Sequence, residues 1–203
     1  MQPMNKTIGV LALQGAFREH RAMLDGLGAA TRLVRWPHEL DGLDGLVLPG
    51  GESTAIAKLL AIHGMYQPLR DAFAKGMAVF GTCAGAILMA RDIEGARPDQ
   101  EPLALMSVRI RRNAYGRQID SFETAVPWVG IEGGPVKGVF IRAPRFADWG
   151  PNVEVLSAAE DGEPLAVREG RALAVAFHPE LTDDARVHAF FLDRVVGEGR
   201  ASC

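Results

Sequence analysis

A short apolar run leads through a turn of small residues into a helix-like run at positions 78–91, which read AVFGTCAGAILMAR. Residues 78–80 have the apolar and aromatic composition of a buried strand. Gly81 and Gly85 flank the turn, and the pattern over 84–91 indicates a helix. A strand that passes directly into a helix is the repeating unit of a parallel α/β sheet.

The same alternation of strand and helix extends over the first half of the chain. Strands that are apolar on both faces are typical of a parallel sheet covered by helices on both sides. The region 104–177 instead indicates strands joined by turns, some of them antiparallel. We therefore predict an α/β fold, a three-layer sandwich with a mixed, mainly parallel central sheet flanked by helices. The predicted strands are 7–13, 31–34, 46–48, 78–80, 105–110, 136–141, 153–156, 165–168 and 173–177, and the predicted helices are 16–27, 53–62, 66–74 and 84–91.

One more helix is predicted near the end of the chain. Thr182, Asp183 and Asp184 carry side chains that commonly cap a helix N-terminus. The residues that follow have an apolar face at helical spacing, formed by Val187, Phe190, Phe191 and Val195. No repeat, linker or low-complexity segment interrupts the 203 residues, which suffice for one substantial core. We predict a single domain over 1–203.

Composition excludes several classes of function. The net charge is −3, and no basic run is present that would favour nucleic acid or an anionic membrane. No apolar stretch approaches the length of a membrane span, and the N-terminus has no signal-peptide pattern. Two cysteines, one of them the terminal Cys203, cannot form a disulfide framework. These features predict a reduced, cytoplasmic protein. The scattered histidines and the absent phosphate-loop pattern predict neither a metal nor a cofactor.

Cys83 lies in the turn between the predicted strand and helix, within the motif Gly-Thr-Cys-Ala-Gly. A nucleophile raised on a tight turn crowds its neighbours, which favours glycine at the flanking positions. A helix N-terminus also stabilises a thiolate, and the N–H of Ala84 could donate to an oxyanion. The alternative interpretation is that Cys83 is a buried apolar residue.

A base for this thiol is predicted at the end of the strand 173–177. His178 follows the strand directly, where parallel strands deliver residues to a ligand crevice. Glu180 is two positions further on and, in extended chain, points to the same side. It could hold one imidazole nitrogen and leave the other for the thiol. A simple polar turn is the alternative for this segment. The other histidines, His20, His38, His63 and His188, are interpreted as surface or boundary residues.

Six segments carry a resemblance to a known family. They are LALQGA at 11–16 with REH at 18–20, LPGGEST at 48–54, GTCAG at 81–85, RNAYGRQ at 112–118, FIRAP at 140–144 and FHPEL at 177–181. With these segments the chain closely resembles the glutaminase subunits of pyridoxal 5'-phosphate synthase, a branch of the class I glutamine amidotransferases. The resemblance extends from Ile8 to about Val196. It departs only slightly, at Ala114 and Tyr115, where the family often has Ser and Phe.

The resemblance implies a flavodoxin-like fold of the class I glutamine amidotransferase type and a division of labour between two proteins. This chain would hydrolyse L-glutamine to L-glutamate and ammonia. The ammonia would pass to a separate (β/α)8-barrel synthase subunit that assembles pyridoxal 5'-phosphate. In that family the glutaminase is nearly silent until it docks on the synthase, which organises its oxyanion hole.

The family pattern also implies roles for individual residues. Cys83, His178 and Glu180 match the catalytic triad, and the N–H groups of Gly51 and Ala84 match the oxyanion hole. The glutamine-binding positions correspond to Gly51, Glu52, Ser53, Arg112, Ile141 and Arg142. From the residues alone, Arg112 could equally be part of a solvated strand face, and Arg142 an edge charge.

Two other functions remain open at this point. A related cysteine hydrolase of the same fold could act on another amide, ester or peptide. The glutamine-specific loop at 51–53 argues against that alternative. A non-catalytic regulatory or scaffold subunit could also keep the fold. The intact set of Cys83, His178 and Glu180 argues against it.

Overall fold

The computed structural model of the chain describes residues 6–112 and 121–197. Within these ranges the strands are β1 (Thr7–Leu11), β2 (Ala30–Val34), β3 (Gly45–Leu48), β4 (Ala78–Thr82), β5 (Ala90–Glu94), β6 (Met106–Arg111), β7 (Phe122–Val126), β8 (Val136–Phe140), β9 (Arg145–Trp149), β10 (Glu154–Ala158), β11 (Pro164–Glu169) and β12 (Ala172–Val175). The helices are α1 (Phe17–Gly26), α2 (Ser53–Ile62), α3 (Tyr66–Ala74), α4 (Ala84–Met89) and α5 (Arg186–Phe190), which continues as a π-helical turn over Phe191–Val196. Residues 113–118 of the RNAYGRQ segment, including Ala114 and Tyr115, and Cys203 lie outside the described residues.

The central sheet has seven strands in the order β10-β11-β12-β4-β3-β1-β2. Strands β12, β4, β3, β1 and β2 run parallel, whereas β11 is antiparallel to both β10 and β12. The prediction of a mixed, mainly parallel sheet is confirmed. The chain leaves β1 outward to β2 and returns to the other side of β1 with β3. This reversal places a crevice beyond the carboxyl ends of β1 and β3, where α/β sheets commonly bind ligands.

Helices cover both faces of this sheet. Successive side chains of each parallel strand point to opposite faces, so each strand contributes to two cores. In β3, Leu46 and Leu48 face the core that contains α2, α3 and α4, whereas Val47 faces the core that contains α1 and α5. The strand is therefore buried on both faces, which explains its uninterrupted apolar sequence.

Two smaller sheets accompany the central one. Strands β5, β6 and β9 form the first, and the antiparallel pair β7 and β8 forms the second. The predicted strands 105–110 and 136–141 thus belong to these small sheets. Strand β8 reaches the central sheet through an isolated bridge, in which the His178 N–H donates to the Val139 carbonyl at 2.8 Å. This bridge brings the end of β8 next to the end of β12.

Several predicted boundaries are wrong. The helix predicted over 84–91 ends at Met89, because Ala90–Glu94 forms β5 and pairs with β6. The predicted first strand ends at Leu11 rather than at residue 13. Strands β7 and β9 were not predicted, since most of their residues are exposed and carry no apolar alternation.

The predicted helix cap at 182–184 is also wrong. Helix α5 begins at Arg186, and its N-cap residue, Ala185, offers no side-chain hydrogen bond. Thr182 instead accepts a hydrogen bond from the Asp184 N–H at 3.1 Å, and Asp184 accepts one from the Arg186 N–H at 3.1 Å. The polar residues therefore stabilise the turn that precedes the helix.

No helix in the described ranges is both long and apolar enough to cross a membrane. Among the same residues, no group of three or more His, Cys, Asp or Glu side chains is placed to hold a metal ion.

Candidate active site

A pocket of about 360 Å³ opens at the carboxyl edge of the central sheet, beside the crevice between β1 and β3. Its walls come from the segments that follow β1, β3, β4, β6, β8 and β12. The pocket is lined by Gln14, Gly15, Ala16, Gly50, Gly51, Glu52, Ser53, Cys83, Ala84, Ile87, Arg112, Ile141, Arg142, His178 and Leu181. It thus brings together all the site residues predicted from the sequence except Glu180, which lies behind His178. Its volume fits a small molecule.

Cys83 lies on a strained turn between β4 and α4. Its φ angle is +46°, a region that non-glycine residues rarely adopt and that is common at functional sites. Gly85 makes the turn possible, because a Cβ there would lie 1.9 Å from the carbonyl oxygen of Leu48. The side chain of Cys83 is only 5% exposed and lies 3.9 Å from the Ile141 carbonyl oxygen. The turn thus presents the sulfur to the pocket.

His178 and Glu180 form a buried pair next to this thiol. The Nδ1 atom of His178 lies 2.7 Å from Oε1 of Glu180. The extended backbone predicted for this segment is wrong, because Pro179–Leu181 forms a 3₁₀ turn. The turn still directs both side chains to the same side. It leaves Nε2 of His178 for the pocket, since Nδ1 is already engaged.

Neighbouring polar groups, rather than burial, set the charge of this pair. Burial alone would lower the pKa of His178, but hydrogen bonds to Cys83 and Glu180 outweigh it and raise the pKa from 6.5 to about 10. Burial likewise favours the neutral form of Glu180, yet His20 and His178 bring the pKa of this carboxyl below its usual value. At neutral pH the pair is an imidazolium and a carboxylate.

The loop after β3 forms one wall of the pocket. At Gly50 a Cβ would lie 2.3 Å from Cε1 of His178, so only glycine allows the loop to pack against the imidazole. The side chain of Gln14 fixes the next turn, because its Oε1 accepts a hydrogen bond from the Glu52 N–H at 2.9 Å. Gln14 was not predicted as a site residue, although it belongs to the LALQGA segment.

Glu52 and Ser53 connect this loop to helix α2. The carboxylate of Glu52 caps the helix by accepting a hydrogen bond from the Ala55 N–H at 2.9 Å. Partial burial favours its neutral form, but hydrogen bonds from Thr54 and Ala55 and the charge of Arg112 lower the pKa of Glu52. Ser53 is buried at the first position of the helix. The loop therefore presents a fixed negative charge at the pocket.

Arg112 turns inward, unlike its neighbours. Arg109 and Arg111 are half-exposed and pair with Asp92 and Glu94 on the outer face of β6. The Arg112 side chain is only 13% exposed and lies 3.6 Å from Glu52. It also donates to the buried Gln100 side chain at 2.5 Å. The solvated-face interpretation does not describe this residue.

Ile141 and Arg142 follow β8 and border the pocket beside Cys83. Arg142 has a φ angle of +47°, again in the left-handed region, and its side chain is exposed. The bridge between β8 and His178 holds this segment against the triad. Two of the three non-glycine residues with positive φ in the described ranges, Cys83 and Arg142, thus lie at this pocket. Such clustering of backbone strain is typical of functional sites.

Two histidines interpreted from the sequence as surface or boundary residues are fully buried behind the triad. His20 and His188 are both 0% exposed, and their rings lie 2.9 Å apart between Nδ1 of His20 and Nε2 of His188. The sequence contained one signal for His20, which shares the apolar face of α1 with Leu24. For His188 the corresponding signal was Phe191, a buried residue of the predicted apolar face three positions further on.

A model of the SNO glutamine amidotransferase family matches residues 10–197. The chain belongs to this family. A curated relative named pyridoxal 5'-phosphate synthase subunit PdxT, from Acidothermus cellulolyticus, is 50% identical over 203 residues and covers 98% of each chain. A relative of the same name from Streptomyces griseus is 54% identical over 188 residues, or 93% of this chain and 95% of its own length.

The fold of this SNO family member is also similar to that of a solved structure. A crystal structure described as a glutamine amidotransferase matches with a TM-score of 0.87 and 46% sequence identity, over 94% of this chain and 98% of the other. The resemblance found in the sequence segments is therefore confirmed across the family, the curated relatives and the fold.

Proposed function

We propose that this chain hydrolyses L-glutamine to L-glutamate and ammonia with a Cys83–His178–Glu180 triad, as the glutaminase subunit of a pyridoxal 5'-phosphate synthase. One observation carries the assignment of the triad. Cys83 and His178 line the same pocket, and Glu180 holds His178 from behind at 2.7 Å. The nucleophile, the base and the acid that orients the base thus follow one another as nucleophilic catalysis by a triad requires. We further propose that the single predicted domain, 1–203, carries this activity.

The charges of the pocket support free glutamine as the substrate. Glutamine carries an α-carboxylate and an α-ammonium group at the end remote from the reacting amide. Arg112 and Arg142 supply positive charge for the carboxylate, and the ionised Glu52 supplies negative charge for the ammonium group. Gly51, Ser53 and Ile141 complete the substrate wall, while Ile87 and Leu181 are apolar and suit the methylene groups.

The first half of the reaction makes a thioester. The sulfur of Cys83, beside the imidazolium of His178, attacks the side-chain carbonyl carbon of glutamine as a thiolate, which is the nucleophilic form of the group. The N–H groups of Gly51 and Ala84 are the proposed donors to the oxyanion. His178 gives its proton to the leaving nitrogen, the C–N bond breaks, and ammonia departs. The γ-glutamyl group then remains on the Cys83 sulfur.

The second half releases glutamate. His178, now neutral, takes a proton from a water molecule that attacks the thioester carbon. The C–S bond breaks and restores the thiolate, while His178 is an imidazolium again. Glu180 remains ionised throughout and holds the ring in one orientation, because its oxygen accepts the Nδ1 proton.

The proposal includes a partner and a location. We propose that the ammonia passes to a separate (β/α)8-barrel synthase subunit in the cytoplasm. The relatives named as subunits of pyridoxal 5'-phosphate synthase support a synthase partner. Losing one oxyanion donor typically costs roughly 2.7–4 kcal/mol of barrier, so a partner that completes the oxyanion hole would strongly accelerate the reaction.

The triad is tested by ammonia and glutamate release from L-glutamine, measured with and without the synthase subunit. We expect release by the wild type in the complex and none by Cys83→Ala, because the thioester cannot form. Cys203→Ser is the matched control, since it removes the other cysteine of the chain, and it should retain the wild-type rate.

Two results would contradict the proposal. Ammonia release that persists in Cys83→Ala at the wild-type rate would remove Cys83 as the nucleophile. L-asparagine should not be hydrolysed, because its shorter side chain cannot reach Cys83 while its charged end occupies the same contacts. Equal hydrolysis of L-glutamine and L-asparagine would therefore indicate a cysteine hydrolase of broader specificity.

A further inference from the structure

A closed polar cluster lies behind the triad, on the side of Glu180 that faces away from the pocket. It consists of His20 from α1, Thr82 from β4 and His188 from α5, all of them 0% exposed. Phe80 and Phe191 pack around it. Burying polar side chains costs free energy unless they are hydrogen-bonded. Apolar residues could fill the same space without that requirement, so a function of the cluster is expected to lie in its contacts.

His20 is the centre of this cluster. Its Nδ1 lies 2.9 Å from Nε2 of His188, and its Nε2 lies 3.1 Å from Oγ1 of Thr82. The same Nε2 is 3.5 Å from Oε2 of Glu180, the carboxylate oxygen that does not contact His178. Within the described part of the chain, this Oε2 forms no hydrogen bond of ordinary geometry. His20 is therefore placed to fix the second oxygen of the orienting acid.

The contacts assign the tautomer of His20. If Nδ1 carried the proton, the bare lone pair of Nε2 would face the Glu180 carboxylate, and an N–H of His188 would be buried without an acceptor. With the proton on Nε2, His20 donates toward Thr82 and Glu180, and only an acceptor nitrogen of His188 is left unpaired among the described residues. The second arrangement costs less, because it avoids repulsion at the carboxylate.

Both histidines are neutral in this arrangement. Burial lowers the pKa of His20, although Glu180 partly opposes that effect. Burial and the neighbouring His20 lower the pKa of His188 to about 3. A neutral His20 donates to Glu180 without removing the negative charge that His178 requires.

Thr82 extends the connection to the other side of the pocket. Its Oγ1 accepts a hydrogen bond from the Gly50 N–H at 2.9 Å. Gly50 packs against the His178 ring and precedes Gly51, the proposed oxyanion donor. One imidazole thus contacts both the acid of the triad and the residue that anchors the oxyanion loop.

We propose that His20 is a positioning residue for the glutaminase reaction, which holds Glu180 and, through Thr82, the Gly50 peptide in the geometry that catalysis needs. It acts through these groups and does not touch the substrate. This inference rests on the proposed function, because it assigns His20 to the reaction of the same pocket.

The decisive comparison is between His20→Leu and His188→Leu, assayed in complex with the synthase subunit. Both substitutions remove a fully buried histidine from one cluster, but only His20 approaches Glu180. We expect His20→Leu to lower kcat by about 10- to 100-fold with little change in KM, since misplaced catalytic groups slow the chemical step. His188→Leu should stay within about threefold of the wild type by the same reasoning.

A second pair of variants separates positioning from packing. The amide of His20→Gln reaches the position of Nε2, so it should restore most of kcat. The shorter His20→Asn reaches only the position of Nδ1, so it should remain slow. Thermal unfolding of each variant reports whether it is folded, and the Gln and Asn pair decides the matter even where His20→Leu fails to fold.

The outcomes separate this inference from the proposed function. If His20→Leu and His188→Leu lose kcat equally, or if Gln and Asn behave alike, His20 has only a structural role and the inference is overturned. The triad is untouched by that result. If the wild-type complex releases no ammonia from glutamine, the proposed function itself fails.

Discussion

The two histidines on opposite sides of Glu180, His178 and His188, have pKa values shifted in opposite directions. On the pocket side, His178 is 7% exposed and has its pKa raised to about 10. On the buried side, His188 is 0% exposed and has its pKa lowered to about 3. Burial lowers the pKa of both rings, so burial cannot explain the difference. Hydrogen bonds to Glu180 and Cys83 reverse the effect of burial for His178, whereas at His188 the charge of Glu180 opposes burial without outweighing it.

The contrast has opposite consequences for stability. His178 has a folded pKa above 6.5, so its contribution is fully present below pH 6.5 and is lost as the pH rises through about 10. His188 has a folded pKa below 6.5, so the unfolded state binds a proton first and stability decreases as the pH falls from 6.5 toward 3. Histidine is thus a charged residue on the pocket side of Glu180 and a neutral, packed residue on the buried side.

The largest expected effect comes from the residue that joins the two sides. Glu180→Gln keeps the shape of the side chain but removes the charge that orients His178. We expect kcat for glutamine hydrolysis in the complex to fall by about two to four orders of magnitude, because the imidazole loses its preferred tautomer. Glutamine binding should change much less, and an unchanged kcat would remove Glu180 from the triad.

The next effect is confined to the pocket side. Arg112→Ala should raise KM for glutamine by about 10- to 100-fold with a smaller change in kcat, since a hydrogen bond to a charged group typically contributes about 1.5–3 kcal/mol. Arg111→Ala is the matched control, because that half-exposed side chain pairs with Glu94 on the outer face. Initial rates over a range of glutamine concentrations measure both parameters. Equal behaviour of the two variants would remove Arg112 from the residues that bind glutamine.

The smallest effect tests the buried side alone. In the wild type, the neutral His188 contacts His20 and lowers stability in acid. His188→Leu should reduce the loss of unfolding free energy between pH 7 and pH 5 by about 2 kcal/mol, because no histidine remains there to be protonated on unfolding. Urea denaturation at both pH values measures this difference.

His38→Leu provides the control for that experiment, since His38 is exposed in the 3₁₀ turn over Pro37–Leu40. It should change the pH dependence less than His188→Leu does. If the two variants behave alike, the neutral state assigned to His188 is wrong, and the contrast between the two sides of Glu180 fails with it.

The strands that the sequence did not predict share one cause. Ala90–Glu94 follows a helix without a glycine or proline stop, and it becomes a strand because β6 is available as a pairing partner. Strands β7 and β9 carry many exposed residues, so local periodicity could not reveal them. These elements are set by pairing between distant segments, which a local pattern does not record.

The sequence by itself determined the α/β alternation, the turn that carries Cys83 and the segments that place the chain in its family. The alternation and the turn depend on neighbouring residues, so apolar periodicity and glycine spacing indicated them, whereas the family was indicated by the resemblance of whole segments. Only the tertiary structure decided that Arg112 turns inward and that His20 and His188 meet behind Glu180. His20 and His188 are 168 positions apart. Their contact arises because α1 and α5 pack on the same face of the sheet, and burial among distant neighbours then sets their charge.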